Sequence, residues 1–240
     1  MVCSSGVSFD PTVDGTTYTF DVAGLYEGLF VMSDRQTGSI WTHYDGTVLQ
    51  GPLAGTGTRL EIRPLIHTYW SDWLQQYPDS LVADRVPEFI DTYRTVQPGR
   101  GGLSELFRQT LSSVDERLAE SELVIGVDND GAAVAYVLAD LVAGPTVIQD
   151  TLGGLDIVVF ADGSTDFGLA YSAMVGGETL DFEVVDGEYV DATGSVWNQA
   201  GMAVSGPLAG AQLQYVTSFV TEWYGWAAYH PGTEIGESDG

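Results

Sequence analysis

Thr37-Gly38-Ser39-Ile40-Trp41, followed by Gly51-Pro52-Leu53-Ala54-Gly55, returns later in the chain as Thr193-Gly194-Ser195-Val196-Trp197 and an unchanged Gly206-Pro207-Leu208-Ala209-Gly210. Upstream of these blocks, residues 9–22 align without a gap on residues 171–184. Phe9 meets Tyr171, Val13 meets Val175, Gly15 meets Gly177, Phe20 meets Phe182 and Val22 meets Val184. Downstream, Thr68, Trp70, Trp73 and Pro78 align with Thr221, Trp223, Trp226 and Pro231. Four ordered blocks exceed what chance supplies, so the sequence reads as two diverged copies of one unit.

Each copy reads as a series of hairpins. Turn pairs stand at Asp14-Gly15, Asp45-Gly46, Gly153-Gly154, Asp162-Gly163, Gly176-Gly177 and Asp186-Gly187, each between runs rich in β-forming residues. Tyr18, Phe20 and Val22 alternate with Thr17, Thr19 and Asp21, and Leu180, Phe182 and Val184 repeat that alternation. A short helix closes each unit. Trp70, Trp73, Leu74 and Tyr77 fall at i, i+3, i+4 and i+7 before Pro78, and Thr68 and Thr221 stand where caps are expected. The expected fold is mainly β (α+β): two similar β-rich units of antiparallel hairpins, each ending in a Trp-x-x-Trp helix, related by pseudo-twofold symmetry.

The second copy starts near Glu122, well ahead of the position that aligns with Met1. Its opening reads as strands at Leu123–Val127, Ala133–Leu138, Thr146–Ile148 and Ile157–Phe160, with a turn at Asn129-Asp130-Gly131. The first copy is therefore expected to be incomplete at its N-terminus, with open sheet edges where those strands would pair. The division that follows is a first unit over 1–83, a linker with a helix near Leu103–Leu111 over 84–121, a second unit over 122–235, and an acidic tail over 236–240.

The 34 acidic residues face only 8 basic ones, a net charge of −26, and every base is Arg. With charged residues at 18%, the imbalance is a shortage of bases. Such a surface suits molar salt, where the Debye length falls to about 3 Å and acidic repulsion is screened; the expected source is a salt-loving archaeon. Nucleic acid is disfavoured as a partner because phosphate binding needs basic stripes. No run approaches the length of a membrane-spanning helix. Localisation stays open, and a secreted or cell-surface form is compatible with a missing upstream segment.

One cysteine, Cys3, excludes an intrachain disulfide and an all-Cys zinc site. His43, His67 and His230 are too far apart for a local metal pair. Gly55-Thr56-Gly57-Thr58 lacks the Lys of a phosphate loop, so the Gly-Pro-Leu-Ala-Gly blocks read as tight turns. Burying one indole of about 200 Å² contributes near 5 kcal/mol at about 25 cal/mol per Å², which favours core positions for the four helical tryptophans. Trp41 and Trp197 lack that helical argument. The alignment also sets Arg35 against Asp191 and Cys3 against Thr165.

The series Asp34-Arg35-Gln36-Thr37-Gly38-Ser39-Ile40-Trp41, Gly51 to Gly55, the Trp-x-x-Trp block ending at Pro78, and the closing Trp226-Ala227-Ala228-Tyr229-His230-Pro231 resembles the domain-of-unknown-function family 3179 over nearly the whole chain. The resemblance implies a Cys-x-x-Cys pair just before a segment like Ser4-Ser5-Gly6-Val7-Ser8-Phe9-Asp10, with Cys3 as its second member. It thereby implies a thiol redox or metal-handling centre at Cys3; the asymmetry between the copies adds the expectation that Arg35 lies near Cys3 and supports an anionic sulfur or ligand, with Asp34 and Trp41 as further candidate supporting residues. The alternative is a non-catalytic module in which the two units form a cleft for a small molecule or a protein. No cofactor is named by the sequence.

Overall fold

The computed structural model describes residues 6–93 and 103–237. Strand makes up 43% and helix 12%, which places the chain in the mainly β class expected from its turn pairs.

The first half contains β1 (Ser8–Asp10), β2 (Thr12–Val13), β3 (Thr16–Thr17), β4 (Phe20–Tyr26), β5 (Leu29–Asp34), β6 (Ile40–Thr42), β7 (Val48–Gln50), β8 (Glu61–Arg63) and α1 (Trp70–Gln76). After α2 (Glu105–Arg108), the second half opens with β9 (Leu123–Asn129), β10 (Ala132–Val137), β11 (Pro145–Leu152) and β12 (Leu155–Asp162). It continues through β13 (Phe167–Ser172), β14 (Met174–Val175), β15 (Glu178–Thr179), β16 (Phe182–Val185), β17 (Glu188–Asp191), β18 (Val196–Trp197) and β19 (Ala203–Ser205). It ends with β20 (Tyr215–Glu222), α3 (Trp223–Tyr229) and β21 (Glu234–Gly236).

Two antiparallel meanders, β4–β7 and β16–β19, are laid out alike. Phe20 pairs with Asp34 in one, and Phe182 pairs with Asp191 in the other. Tight hairpins join their strands where Asp186 (φ 53°) and Gly187 (φ 84°) take the left-handed conformation that matches strand twist. The Gly-Pro-Leu-Ala-Gly blocks are turns, as expected, with Ala54 N–H donating to Gly51 O at 3.1 Å and Ala209 N–H to Gly206 O at 3.2 Å. Gly51 and Gly206 adopt φ of 103° and 89°, and a Cβ there would come within 2.7 Å and 2.5 Å of the Cα atoms of Ser39 and Ser195. Only glycine fits that approach.

The remaining sheet differs between halves. In the second half seven strands run β11-β12-β13-β20-β9-β10-β21, antiparallel except for the parallel β10–β21 edge. In the first half β1 pairs only with β8 among the described residues, in the register Phe9↔Ile62. The corresponding second-half pair is Tyr171↔Tyr215.

Four buried clusters fill the interior. One spans both halves: Leu29 and Tyr44 pack with Val124, Phe219, Trp223 and Trp226, joined by Leu103, Leu111 and Leu118 of the connecting passage. That passage is fastened on both sides. Gly28 N–H donates to Thr110 Oγ1 at 2.9 Å, Ser112 N–H donates to Glu27 at 2.8 Å, and Trp223 Nε1 donates to Asp115 O at 2.9 Å.

Three local expectations are corrected. Neither Thr68 nor Thr221 caps a helix: the N-cap residues are Tyr69 and Glu222, without side-chain caps, because β20 keeps Thr221 in register with Val124 up to the helix start. Val22 does not share the burial of Tyr18: it is exposed just ahead of a bulge between Val22 and Gly24, and Val184 is exposed at the matched position of the second half. The helical tryptophans divide: Trp223 and Trp226 are core, whereas Trp70 and Trp73 are exposed.

Candidate functional site

The two halves meet beside the C-terminal end of α3, where a crevice opens as adjoining cavities of about 300 and 590 Å³ that share Arg59, Asp128 and Gly131. The first half contributes Asp45, in the β6–β7 turn, and Arg59, held by a bridge to Thr47. The second half contributes Asp128 near the end of β9 and His230 at the end of α3.

Each side chain is positioned by local structure. The His230 ring lies on the Trp226 indole with centroids 3.8 Å apart, and that indole is fixed by donating from Nε1 to Thr233 Oγ1 at 2.9 Å. His230 Nδ1 stands 3.6 Å from Asp128 Oδ2. Arg59 donates from Nε to the Asp45 carbonyl at 2.9 Å, while the Asp45 carboxylate accepts from the Thr42 hydroxyl and from Thr47 N–H. Burial pushes the His230 imidazolium pKa down; Asp128 and Asp45 pull it up and Arg59 adds to the lowering. The net direction is down, so at neutral pH the ring is an uncharged hydrogen-bonding group beside a carboxylate. The crevice thus offers a guanidinium on one wall and a carboxylate–imidazole pair on the other, with open space between. It is suited to binding a polar molecule that carries both signs of charge. Among the described residues no cluster of three or more His, Cys, Asp or Glu is placed to hold a metal ion.

The residues singled out from sequence lie elsewhere. Cys3 falls outside the described residues. Asp34 is buried and accepts from Trp41 Nε1 at 2.8 Å, Thr37 N–H at 2.5 Å, the Thr37 hydroxyl at 2.8 Å and Ser39 N–H at 3.1 Å. Burial alone would raise its pKa, and these donors together outweigh it and hold the carboxyl below its usual range. Asp191 repeats the arrangement with Trp197 Nε1 at 2.8 Å, Thr193 N–H at 2.7 Å and Ser195 N–H at 3.2 Å. The counterpart of Asp191 is therefore Asp34, and Arg35 belongs to a loop one residue longer, which corrects the ungapped comparison of Arg35 with Asp191. Arg35 is exposed and forms a two-point ion pair with Asp21 at 2.8 and 2.6 Å. Trp41 is fully buried.

A family model, Protein of unknown function (DUF3179), matches residues 1–233. The chain belongs to the DUF3179 family. No curated protein and no solved structure matches it. Within this DUF3179 chain the crevice residues were not found from sequence, because Asp128 and His230 meet only through the pairing of β9 with β20. The position occupied by His230 is Tyr77 in the first half, one of several differences between two blocks that share Trp, Trp and Pro, so the comparison does not single it out.

Proposed function

We propose that this protein is a non-catalytic binding module, built from two copies of one β unit, whose ligand is a small zwitterion held in the crevice between the halves. One observation carries the reading: Arg59 from the first half and Asp128 with His230 from the second line the same open cavity. A ligand carboxylate meets the Arg59 guanidinium, and a ligand ammonium meets Asp128 or Asp45, so each charge is desolvated against its opposite. Isothermal titration with a panel of α-amino acids is expected to give at least one 1:1 complex of submillimolar affinity. Arg59→Ala and Asp128→Asn should each weaken it tenfold or more, about 1.4 kcal/mol. Absence of binding below about 10 mM across the panel, or unchanged affinity in Arg59→Ala, removes the proposal.

A second reading, thiol chemistry at Cys3, is favoured by the surroundings of Gly6. A Cβ placed on Gly6 would come within 3.2 Å of His67 Nε2, so this segment runs against an imidazole. Cys3 stands three residues ahead of Gly6 in the sequence, a span of at most about 10 Å, and on this reading its thiol is the partner of His67. Burial lowers the His67 pKa and so weakens the ring as a base, while Asp166 opposes that shift; an anionic sulfur beside the ring would oppose it further by favouring the imidazolium. Alkylation of Cys3 by iodoacetamide at pH 7 should then slow about tenfold in His67→Ala, the loss of most thiolate; equal rates in the two proteins discard this reading.

A further inference from the structure

The two closing helices are built alike to their last bonds. In α1, Tyr77 N–H donates to Trp73 O, the Tyr77 ring lies 4.4 Å from the Trp73 ring, and Trp73 Nε1 donates to Ser80 Oγ at 2.7 Å. In α3, His230 N–H donates to Trp226 O, the His230 ring lies 3.8 Å from Trp226, and Trp226 Nε1 donates to Thr233 Oγ1 at 2.9 Å. Their surroundings are opposite. Trp223 and Trp226 are 0% exposed, whereas Trp70 and Trp73 are 47% and 39% exposed.

The difference traces to β9 and β10. Val124, Ala135 and Val137 of these strands pack with Trp223 and Trp226, and Gly126 lies so close that a Cβ there would stand 2.1 Å from the Trp226 ring. The same strands order the segments on either side of α3. Thr217–Glu222 pairs with β9, and Glu234–Gly236 pairs with β10. Among the described residues no strand lies beside the matching segments around α1. Residues 64–69 carry no strand, and Leu81 and Val82, which align with Glu234 and Ile235, are 95% and 70% exposed. Two open edges and one uncovered indole face thus coincide at the positions that β9 and β10 serve in the second half.

We infer that this face is the seat of a strand segment of the β9–β12 kind, joined to the same polypeptide ahead of β1, as β9–β12 stand ahead of β13. Its first hairpin adds a strand along residues 64–69, places a glycine over Trp73, and covers Leu81 and Val82. Backbone pairing supplies the register, and the glycine gives the ring its room. The open groove of about 560 Å³ lined by Ile66, Trp70 and Trp73 lies against the same helix.

The test is a chain in which residues 122–164 are repeated directly ahead of Cys3, the residue aligned with Thr165. Acrylamide quenching of tryptophan fluorescence should fall, because two of the six indoles pass from open to covered. Replacing the added copy's Gly126 with Arg should restore the quenching. A folded graft, with strand content raised in circular dichroism, that quenches like the unmodified chain overturns the inference. A second measurement does not depend on the graft folding. In the unmodified chain, Trp70→Ser with Leu81→Ser should lower binding of an apolar dye while leaving the urea midpoint unchanged. A clear drop in that midpoint would mean that the face already belongs to the core, and would also overturn the inference.

Discussion

Gly126→Ala is expected to destabilise the protein by about 3 kcal/mol or more, at the upper end of the range for overpacked cores. The added methyl would sit 2.1, 2.3 and 2.4 Å from three carbons of the Trp226 ring. The ring cannot yield cheaply, since it donates to Thr233, stacks on His230 and meets Phe219 edge-on at 5.8 Å. Nor can the backbone move freely, because β9 is hydrogen-bonded on one side to β20 and on the other to β10. Gly24→Ala is the control: its Cβ would meet Val31 Cγ2 at 3.8 Å, an ordinary contact, and should change stability by less than about 1 kcal/mol. Urea unfolding followed by fluorescence measures both. Midpoints within error of each other would show that β9 and α3 are not packed as described.

Asp191→Ala should cost about 3 kcal/mol at pH 7, because it strands the buried Trp197 N–H and leaves Thr193 and Ser195 N–H without their acceptor. The pH dependence has a defined sign. Burial alone would raise the Asp191 pKa, but the donors from Thr193, Trp197 and Ser195 outweigh it and leave it below its usual value. The folded state therefore binds the proton less readily than the unfolded chain. The stabilisation is complete above the unfolded carboxyl value of about 3.9 and is lost as pH falls through the lower folded value. Wild type and Asp191→Ala should keep a constant separation between about pH 5 and 7 and converge only as pH falls below about 4. A separation that does not shrink below about pH 4, or a loss under about 1 kcal/mol at pH 7, would mean the carboxylate does not organise the turn. Asp34→Ala should behave the same way in the first half.

The hairpins were legible because strand periodicity and glycine-bearing turn pairs are local signals, and β9, β11 and β12 extend only a few residues beyond the runs read from sequence. The Trp-x-x-Trp helices were legible for the same reason. Which tryptophans are buried was not, since that depends on whether other strands lie against the helix: identical spacing yields core at Trp226 and surface at Trp73. Asp34 is legible in the sequence as the first residue of a block that carries the family resemblance, yet its task of gathering four donors around one turn requires the folded chain to appear. The crevice was hidden for a related reason, as Arg59, Asp128 and His230 become neighbours only once sheet pairing has brought distant segments together.

The cluster that unites Leu29 and Tyr44 with Val124 and Trp223 removes any clean seam between the halves. Tyr44 meets Phe219 edge-on at 4.9 Å and lies 4.7 Å from Tyr229, while the connecting passage is pinned to Glu27 and Gly28 on one side and to Trp223 on the other. Cut apart, each half would carry an oily scar where the other had been. The halves are obligate cohabitants, and a change that suits one must be tolerated by the other.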